Sequence, residues 1–593
     1  MIASMPRHVP SWTAAVLPVV AALALASSPL AGQKPQGVVE GRVLGPLGDP
    51  LPNVEVEARL APRDTARLGA TRTDGEGVFR LGRLPTECPV HVIAHLPGHS
   101  SAIALATIGH TVRQTNLTLR LWQANTVRGR VVDANGKPVA GAAVIGTKDH
   151  TGYDGSFLAP EAVSDATGKF ELVGVPIGDC VVRAWAPGFE LREHLLNTVA
   201  DTSIEVVLAP GEGTLLSIYV KGLPAAELAS VEVRVDAMRN GAAIALPSAI
   251  ERTHLDDKGQ LVLEGLPRAE WNVRMQAPGY RFDPPTATTV NGQFVHVLPF
   301  KACAVTNITL RGSLRDTDGN ALSGQRLIAR ARPSRSLLEA PGFDTTTDAD
   351  GQFALPAPFV RAQAYDLFLA GSSWVLKQPR HRSGPDQRGI HWLEFADPDR
   401  QLELIATPSA FVKVRLVDAD GKPASFTTAQ LQQYYPGVIP PWRTLTRVVS
   451  GRDGALDFGG LPGGPEVLRV HVAGEGGCGD SKDFKLGVGE RDTIEVVLDH
   501  AATVRGRVVD AAGNPLAGVR LTLSNWDLAA DQQVDTEVTS VTSDREGRFV
   551  FTGVLPGGHR VATALYEFAG EGSSQPFEAE AGASTEVELR LAK

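Results

Sequence analysis

The 593-residue sequence is poor in cysteine, and its four cysteines lie far apart, at Cys88, Cys180, Cys303 and Cys478. A disulfide requires Cα atoms within about 7 Å of each other. Cys88 and Cys180 occupy similar positions in two copies of a repeat described below, so neither has a partner in its own predicted domain. No two cysteines have the close spacing of a zinc site. We therefore expect buried thiols rather than disulfides or a metal centre.

The sequence also lacks a strong charge and has few aromatic residues. Its formal net charge is −9, and aromatic residues make up 6% of the chain. It therefore has neither a basic surface for nucleic acid nor an acidic tail for a cationic partner. Hydrophobic residues at 43% and charged residues at 21% are typical of soluble globular domains. The 61 glycines and 41 prolines favour short strands joined by tight turns.

Long apolar segments are missing except near the N-terminus. An apolar run of about 15 residues extends from Trp12 to Ala26, preceded by Arg7 and followed by small residues up to Ala31. A membrane-spanning helix needs about 20 apolar residues. The pattern predicts a signal peptide over residues 1–32. We expect the mature chain to be secreted, periplasmic or on the cell surface, with no insertion into a membrane.

What the sequence does contain is a repeat. The frame D-x-x-G-x-(F/L)-x-(L/F) recurs about every 90 to 100 residues, starting at Asp74, Asp165, Asp256, Asp348, Gly451 and Asp544. The aspartate can accept a hydrogen bond from the backbone N–H two residues on, and the glycine can adopt the positive φ of a tight turn. The alternating apolar pair then begins a half-buried strand. The copies predict six domains.

A second phrase precedes this frame in most copies. It is clearest as VRGRVVDANGKPVAGAAV from Val127 and VRGRVVDAAGNPLAGVRL from Val504. Val127, Gly129 and Val131 fall on one face of a strand and the intervening arginines on the other, and turn residues lead into a paired strand. About seven short strands per copy predict a tandem array of about six antiparallel, Ig-like or transthyretin-like β-sandwiches, an all-β fold. The predicted domains cover residues 33–122, 123–210, 211–301, 302–408, 409–500 and 501–593.

The segments GRVVDANGKPVAGAAV, SDATGKFELVGVP and VVRAWAPGF of the second copy resemble the carboxypeptidase regulatory-like domain, a transthyretin-like sandwich. The resemblance covers nearly the whole mature chain. It is strong in the first, second and sixth copies and looser in the third to fifth, where Gly451 replaces the turn aspartate and insertions occur. It implies a carbohydrate-binding-like fold and a structural or binding module. The family has no agreed catalytic residues that could be carried over to this chain.

Signatures of enzymes and metal sites are missing from the sequence. The H-x-x-E pair of His391 and Glu394 would point to opposite faces of a strand, and repeats flank it on both sides. The turns that begin at Asp316 and Asp348 resemble the start of a calcium loop, but no glutamate follows at the twelfth position. There is no G-x-S-x-G motif and no phosphate-binding loop. We therefore predict a protein that is not an enzyme and binds no cofactor or metal.

Segments that differ between the copies are the best candidates for binding, because loops carry specificity on a shared scaffold. The candidate ligand-binding residues are aromatic and basic: Trp185 in the second copy, Trp374, Arg380, Arg382 and Trp392 in the fourth, and Tyr434, Tyr435, Trp442 and Arg443 in the fifth. Strand alternation points Trp185 outward and Trp271 into the core. Exposed rings can stack on sugars and arginine can pair with acidic groups. Alternatively, the rings cap the edges of their own sandwiches.

The segments between copies are short, which limits the motion of one domain against the next. Laid end to end, sandwiches of about 35 Å would form a rod on the order of 200 Å; the sequence leaves a folded-back array equally open. We hypothesise an exported, non-enzymatic binding or adhesion protein whose leading ligand is polysaccharide or cell-envelope glycan. The alternative is a structural stalk or docking protein that binds protein partners. Neither hypothesis involves nucleic acid.

Overall fold

Short β-strands make up most of the computed structural model, as the alternation of apolar and polar residues predicts. The model describes residues 37–63, 66–85, 89–108, 114–148, 157–211, 213–239, 242–277, 280–283, 289–290, 295–304, 308–331, 343–357, 365–370, 373–377, 391–393, 401–436, 441–461, 463–474, 477–529, 532–533, 539–563 and 572–591. The predicted signal peptide lies outside these residues. Within them, no helix has the length and apolar character needed to cross a membrane.

Strands of the first two sandwiches follow each other along the chain. The first sandwich contains β1 (Gly37–Leu44), β2 (Glu55–Arg59), β3 (Gly69–Arg72), β4 (Val78–Leu84), β5 (Pro89–His95), β6 (Ser101–Thr107) and β7 (Gln114–Arg120). The second contains β8 (Ala124–Asp133), β9 (Ala143–Lys148), β10 (Phe157–Leu158), β11 (Glu161–Val163), β12 (Lys169–Pro176), β13 (Asp179–Trp185), β14 (Arg192–Asn197) and β15 (Thr202–Leu208).

The third and fourth sandwiches are longer in sequence. The third contains β16 (Thr214–Lys221), a 3₁₀ turn (Ala225–Ser230), β17 (Glu232–Arg239), β18 (Ala242–Ile244), the one-turn helix α1 (Ser248–Glu251), β19 (Arg252–His254), β20 (Gln260–Leu266), β21 (Glu270–Gln276), β22 (Tyr280–Asp283), β23 (Thr289–Val290) and β24 (Val295–Ala304). The fourth contains β25 (Ile308–Arg315), β26 (Arg326–Ala331), β27 (Phe343–Thr346), β28 (Gln352–Ala357), β29 (Tyr365–Ala370), β30 (Trp374–Leu376), β31 (His391–Leu393) and β32 (Gln401–Pro408).

The last two sandwiches complete the array. The fifth contains β33 (Ala410–Asp418), β34 (Thr428–Tyr434), β35 (Trp442–Val449), β36 (Ala455–Leu461), β37 (Leu468–Gly474), β38 (Gly477–Asp480) and β39 (Arg491–Leu498). The sixth contains β40 (Ala502–Asp510), β41 (Arg520–Asp527), β42 (Gln532–Gln533), β43 (Thr539–Thr542), β44 (Arg548–Val554), β45 (Gly557–Thr563), β46 (Phe577–Ala579) and β47 (Ser584–Leu591).

Each sandwich is made of two sheets packed over a common core. In the fifth, for example, one sheet has the strand order β36-β33-β39 and the other the order β35-β34-β37-β38. The first and last strands of every sandwich pair in parallel, whereas the other pairings in the described residues are antiparallel. The prediction of antiparallel sandwiches is therefore right apart from this one pair. Because the two strands run the same way, the chain enters at one end of a sandwich and leaves at the other.

The domain boundaries that the repeat predicts stay a prediction. One strand pairs with a sandwich other than the one to which its sequence position assigns it. The strand β10 belongs to the second copy in sequence, yet it pairs with β6 of the first sandwich through Phe157 and Ala102. The phenyl ring of Phe157 is buried beside Ile145 and Ala159. This short strand therefore covers an edge of the first sandwich, which would otherwise leave backbone groups unpaired.

The cores confirm the predicted pattern of buried residues. Val127 and Val131 are fully buried in the second sandwich, and Trp271 is fully buried in the third. Cys180 and Cys478 are buried as expected, and burial is the main cause that raises the pKa of the Cys478 thiol. Cys303 is half-buried, and Cys88 lies outside the described residues.

The aspartate of the repeat frame forms the predicted turn. In the first sandwich, one carboxylate oxygen of Asp74 accepts hydrogen bonds from the backbone N–H of Glu76 at 3.0 Å and of Val78 at 2.8 Å. Gly77 has φ of +73°, and a Cβ there would lie 2.6 Å from the carbonyl oxygen of Val43. The turn thus needs aspartate for its amide bonds and glycine for its backbone conformation.

The fifth sandwich builds the same turn with a substitute. Gly451 stands where the other copies have aspartate, and Asp453 accepts the backbone N–H of Ala455 at 3.1 Å instead. The turn at Asp316 resembles the start of a calcium loop in sequence. Its carboxylate instead accepts hydrogen bonds within the turn, from the backbone N–H groups of Asp318 and Asn320. Within the described residues, no group of three or more histidine, cysteine, aspartate or glutamate side chains is placed to hold a metal ion.

The glycine inside the opening phrase makes no turn. Gly129 lies in the middle of β8, where a Cβ would lie 2.5 Å from the ring of Phe170 and 2.6 Å from the carbonyl oxygen of Ile204. Phe170 is the aromatic residue of the D-x-x-G-x-F frame on the paired strand β12. The same contact recurs in three other sandwiches between Gly41 and Phe79, Gly312 and Phe353, and Gly506 and Phe549. In these four sandwiches the opening phrase and the D-x-x-G-x-F frame therefore supply the two sides of one packing contact.

Neighbours in space are not always neighbours in sequence. The side-chain amide of Asn116 in the first sandwich donates to the carbonyl oxygen of Val449 in the fifth at 3.1 Å. The ammonium group of Lys148 in the second donates to the hydroxyl of Thr542 in the sixth at 3.1 Å. The sequence leaves a straight and a folded-back array open, and these contacts of the first sandwich with the fifth and of the second with the sixth show a folded-back array.

Replacing Gly41 by alanine should locally destabilise the first sandwich, because the new Cβ would lie 2.4 Å from the Leu117 carbonyl oxygen and 2.6 Å from the Phe79 ring. Overpacking of this kind costs roughly 1–3 kcal/mol. Amide hydrogen exchange should therefore quicken in the first sandwich. Gly75→Ala is the control, since a Cβ at Gly75 has nothing within 4 Å. Equal protection of both variants would contradict the packing role of Gly41.

The turn aspartates should also make stability depend on pH. Hydrogen bonds inside the turns, above all from the Asn514 side chain to Asp510, hold the pKa of Asp510 below its ordinary value of 3.8. A lowered folded-state pKa means that the stabilisation is present above the unfolded-state pKa and is lost as the pH falls through the folded-state pKa.

Asp510→Asn should therefore give a shallower fall in the free energy of unfolding of the sixth sandwich below about pH 4 than the unchanged protein. Denaturant unfolding at a series of pH values measures this dependence. Glu586→Gln, which removes an exposed carboxylate from β47 of the same sandwich, should leave it unchanged. The same slope for all three proteins would show that the turn carboxylate is not the titrating group.

Candidate functional site

The outer face of the sheet β35-β34-β37-β38 in the fifth sandwich gathers aromatic and polar side chains. We call it the aromatic face, and it consists of Gln430, Gln432, Tyr434, Trp442, Thr444, Arg469, His471 and Asp480. It lies on strands, although the sequence placed its aromatic residues in a loop.

Strand alternation explains why these residues share one side. Ala429 and Leu431 point into the core of the fifth sandwich, so Gln430 and Gln432 point outward from the same strand β34. On β37 the core residues Val470 and Val472 likewise leave the intervening side chain outside. Pairing across the sheet then aligns the outward side chains of the four strands.

Two aromatic rings stand at one end of this face. Tyr434 and Trp442 are directly paired across β34 and β35, and their ring centroids are 5.3 Å apart at an interplanar angle of 62°. The Arg469 guanidinium lies over the Trp442 ring, 4.2 Å from its centroid. Tyr434 is 41% exposed and Trp442 is half-buried. Tyr434 is therefore the more accessible ring, and the indole is held between an edge-on ring and a cation.

Arg469 connects the rings to the polar half of the face. Its Nε donates to the side-chain oxygen of Gln432 at 2.8 Å, and a terminal nitrogen donates to Asp480 at 3.1 Å. The other Asp480 oxygen lies 2.6 Å from Nδ1 of His471. Burial acts to raise the pKa of Asp480, but His471 and Arg469 together outweigh burial and hold this pKa below its usual value. Asp480 is therefore a carboxylate at neutral pH.

The glutamines extend these contacts to the edge strand β35. The hydroxyl of Thr444 donates to the side-chain oxygen of Gln430 at 2.6 Å, and the amide nitrogen of Gln432 lies 3.4 Å from the same oxygen. Gln430, Gln432 and His471 are each more than nine-tenths buried. A continuous set of polar contacts thus crosses all four strands and fixes the side chains before any ligand binds.

The predicted residues of the fifth copy divide between this face and its surroundings. Tyr434 and Trp442 are brought together as an adjacent pair. Arg443 pairs with Gln433, so it lies on the opposite side of the sheet. Tyr435 follows the end of β34, its backbone N–H donates to the carbonyl oxygen of Pro441 at 2.7 Å, and burial raises the pKa of its hydroxyl.

The sequence analysis missed the polar part of the aromatic face. Arg469, His471 and Asp480 lie more than twenty residues beyond the aromatic loop and come from strands that showed no unusual composition. The sequence does contain one signal of this face. In QLQQY and LRVHV polar residues alternate with apolar ones, which predicts strands with one polar face. That signal does not reveal which strands are adjacent.

The candidates of the fourth copy are only partly described. Trp374 packs against the core of the fourth sandwich, in keeping with the alternative that such rings cap their own domain. Trp392 lies on β31, where its backbone pairs with Asp366. Arg380 and Arg382 lie outside the described residues, so the basic binding loop stays a prediction. Of the H-x-x-E pair, His391 lies on β31 and Glu394 lies outside the described residues.

The prediction that Trp185 meets solvent is wrong. Its side chain is 8% exposed, it belongs to the core cluster of the third sandwich, and its Nε1 donates to the carbonyl oxygen of Glu264 at 3.0 Å. The neighbouring outward residue Arg183 is 2% exposed and pairs with Glu193 at 3.0 Å. Strand alternation correctly points both side chains away from their own core. The third sandwich covers that face, and the pattern of a single strand cannot show a covering neighbour.

Comparison with known proteins identifies two segments of the chain. The family model of the carboxypeptidase regulatory-like domain matches residues 126–221 and 503–592. These segments cover most of the second and sixth sandwiches, where the resemblance in sequence is strong, and the first segment also includes β16 of the third. No curated protein matches the chain.

Solved structures with local similarity include two bacterial pilins and a protein of Bacillus anthracis. The minor pilin GBS52 of Streptococcus agalactiae is 14% identical over 31% of this chain and 96% of its own, with a TM-score of 0.19. The shaft pilin SpaA of Lactobacillus rhamnosus GG is 14% identical over 31% of this chain and 97% of its own, with a TM-score of 0.17. The TIE protein of Bacillus anthracis is 12% identical over 70% of this chain and 71% of its own, with a TM-score of 0.15. Similarities at such TM-scores support no argument about function.

Asp480→Asn should loosen the polar half of the aromatic face, because it removes the negative charge that Arg469 and His471 share. Hydrogen bonds to a charged group contribute about 1.5–3 kcal/mol, and partial exposure of Asp480 reduces the expected loss to about 1 kcal/mol. Hydrogen exchange of the β37 and β38 amides measures it. Glu495→Gln breaks the exposed Arg415–Glu495 pair on the other sheet of the same sandwich, and should change exchange little. A similar change in both variants would argue against a special role for Asp480.

Proposed function

We propose that this chain, a tandem array of β-sandwiches that contains carboxypeptidase regulatory-like domains, is a non-enzymatic binding protein of the cell exterior whose ligand is carbohydrate. The observation that carries the proposal is the aromatic face, where an exposed tyrosine and a fixed tryptophan lie beside a row of hydrogen-bonding side chains. The expected partners are polysaccharides or cell-envelope glycans.

The chemistry of the aromatic face suits a sugar. The C–H face of a pyranose ring is apolar and can stack on an aromatic ring, while its hydroxyl groups both donate and accept hydrogen bonds. Arg469 already occupies one side of the Trp442 indole. We therefore expect the sugar to stack on Tyr434 and to place its hydroxyls toward the carboxylate of Asp480 and the neighbouring amides. Because these partners are already oriented, little conformational entropy is lost on binding.

An open sheet face also favours a chain-like ligand over a small molecule. Small-molecule sites are enclosed and bury most of their ligand, whereas the aromatic face lies on the surface of a sheet with Tyr434 exposed. A polysaccharide could cross it with several sugar units in contact.

A structural stalk is the second candidate, and the joints between sandwiches favour it. At the joint of the second and third sandwiches, the backbone N–H of Leu191 donates to the carbonyl oxygen of Gly265 at 2.6 Å, and Trp185 inserts into the third core. Hydrogen bonds and buried aromatic surface at a joint resist bending. A stalk would hold partner proteins at fixed positions without a need for the aromatic face.

Tyr434→Ala should weaken binding to polysaccharide by about two- to twelvefold, since loss of an aromatic stack costs about 0.5–1.5 kcal/mol and about 1.4 kcal/mol corresponds to a factor of ten. Affinity gel electrophoresis against a panel of polysaccharides measures the retardation of the mature chain. Arg443→Ala is the matched control, because Arg443 is exposed nearby but lies on the opposite side of the sheet, and it should bind normally. Equal weakening of binding in both variants would show that the sugar does not bind at Tyr434. If no glycan retards the protein, the result would favour the stalk.

A further inference from the structure

The turn of the repeat frame carries an arginine in two copies. The position after the frame's first residue is Arg452 in the fifth sandwich and Arg545 in the sixth. The corresponding residues of the first four copies are Gly75, Ala166, Asp257 and Ala349. The fold of the turn does not require arginine there, since the other copies form it without one. The arginines therefore need an explanation outside their own sandwiches.

Both arginines reach across to an N-terminal sandwich. Arg452 pairs with Asp74 in the turn of the first sandwich at 3.0 Å. Arg545 donates from its guanidinium to the carbonyl oxygen of Ala124 at 3.2 Å and to the side-chain oxygen of Asn125. Its backbone N–H also donates to the side-chain oxygen of Gln123 at 3.2 Å. The fifth sandwich is thus joined to the first and the sixth to the second, with the same offset along the array.

An aromatic residue strengthens the second of these contacts. Trp122, in the segment between the first and second sandwiches, packs against the core cluster of the sixth. Lys148 lies over its ring at 5.4 Å and donates to Thr542. At the equivalent place between the fifth and sixth sandwiches the chain has Asp499. The tryptophan is therefore a feature of this contact and not of the joint in general.

The backbones themselves touch at a pair of glycines. A Cβ on Gly518 of the sixth sandwich would lie 2.0 Å from the Cα of Gly178 in the second. Gly141 occupies the same repeat position in the second sandwich, with φ of +75° against +73° for Gly518, and a Cβ on it would meet nothing within 4 Å. The two glycines have the same backbone conformation and differ only in whether a partner is present.

The contact between the first and fifth sandwiches completes the surface. Beside the Asn116 bond to Val449, the hydroxyl of Thr118 donates to the carbonyl oxygen of Phe426 at 3.3 Å. Both donors lie on β7, which packs against the edge strand β35. Their acceptors are the backbone carbonyls of Val449 at the end of β35 and of Phe426 in the turn before β34, which otherwise need water or another partner.

We infer that the first and second sandwiches form a specific docking surface for the fifth and sixth sandwiches of the same chain, and that Arg452, Arg545 and Trp122 serve this recognition. The surface fits a sandwich whose repeat turn bears arginine; in the sixth sandwich it also meets the bare backbone of Gly518, where the fifth has Phe426. The third and fourth sandwiches have Asp257 and Ala349 in that turn, so they form the connection and take no part in docking. This inference is independent of any carbohydrate ligand.

Gly518→Asn in the full mature chain tests the docking, with Gly141→Asn as the matched control. Asparagine tolerates positive φ, so both turns should form, but only at Gly518 does the side chain meet another sandwich. Small-angle X-ray scattering should show a maximum dimension larger by about one sandwich length, about 35 Å, for Gly518→Asn. Gly141→Asn should match the unchanged protein. Scattering curves that agree among all three proteins would overturn the inference.

A cross-linking experiment tests the same contact without disturbing the turns. Lys148→Cys with Thr542→Cys, treated with a short bismaleimide, should give a monomer in which the two positions are linked within one chain, identified by peptide mass spectrometry. Adding Gly518→Asn should reduce the cross-link at least tenfold, and adding Gly141→Asn should not. A cross-link that is absent, or that joins two chains, would contradict intramolecular docking.

If Gly518→Asn fails to fold, Arg452→Ala with Arg545→Ala replaces it, since both arginines lie on solvent-facing turns. Arg415→Ala is then the control, because Arg415 is exposed and pairs with Glu495 of its own sandwich. The arginine pair should lower the yield of the intrachain cross-link, and the control should keep it. An unchanged yield in the double variant would overturn the role of the arginines.

Discussion

The contact between the first strand of each sandwich and the strand after its Asp-Gly turn is the constraint on which the rest of the fold depends. In four sandwiches this contact places a phenylalanine over a glycine, as with Phe170 over Gly129. In the third sandwich Leu261 faces Ile218, and in the fifth Leu456 faces Val414. Where the second strand has a large phenylalanine, the first strand has a glycine opposite it. Where the second strand has a smaller leucine, the first strand has a β-branched isoleucine or valine. The combined volume is kept because a close-packed core tolerates neither a void nor an overlap.

This contact also sets the turn that precedes it. The glycine of the turn has a positive φ and approaches a carbonyl oxygen of the first strand, as Gly77 approaches that of Val43. The aspartate then accepts hydrogen bonds from the backbone N–H groups two and four residues further on. Turn and core contact therefore specify one register for the strand pair, since a shift by one residue would turn the phenylalanine to the solvent.

The parallel pairing of the first and last strands determines how one sandwich follows the next along the chain. Because each sandwich is entered at one end and left at the other, the next first strand begins within a few residues, as β8 begins at Ala124 after β7 ends at Arg120. Short connections place neighbouring sandwiches in contact. The contact then buries outward side chains such as Trp185 and Arg183 without changing the strand that carries them.

How far the sequence predicts the structure follows from these physical relations. Periodicity, turn chemistry and the repeat predict the β-sandwiches, the role of Asp74 and the buried position of Trp271, because all of these are local to one strand or one turn. The polar neighbours of Trp442, such as Arg469, depend on which strands are adjacent in a sheet. The burial of Trp185 depends on a neighbouring sandwich. Neither relation is written in the alternation of a single strand.

Differences between copies contain the information that the shared frame does not. The aromatic face belongs to the fifth sandwich, and the arginine turns belong to the fifth and sixth. The two features meet at β35, whose Trp442 stands on the aromatic face and whose Val449 accepts a hydrogen bond from Asn116 of the first sandwich. The first sandwich therefore contacts β35 at its Val449 end, while Trp442 at the other end of the strand stays on the aromatic face.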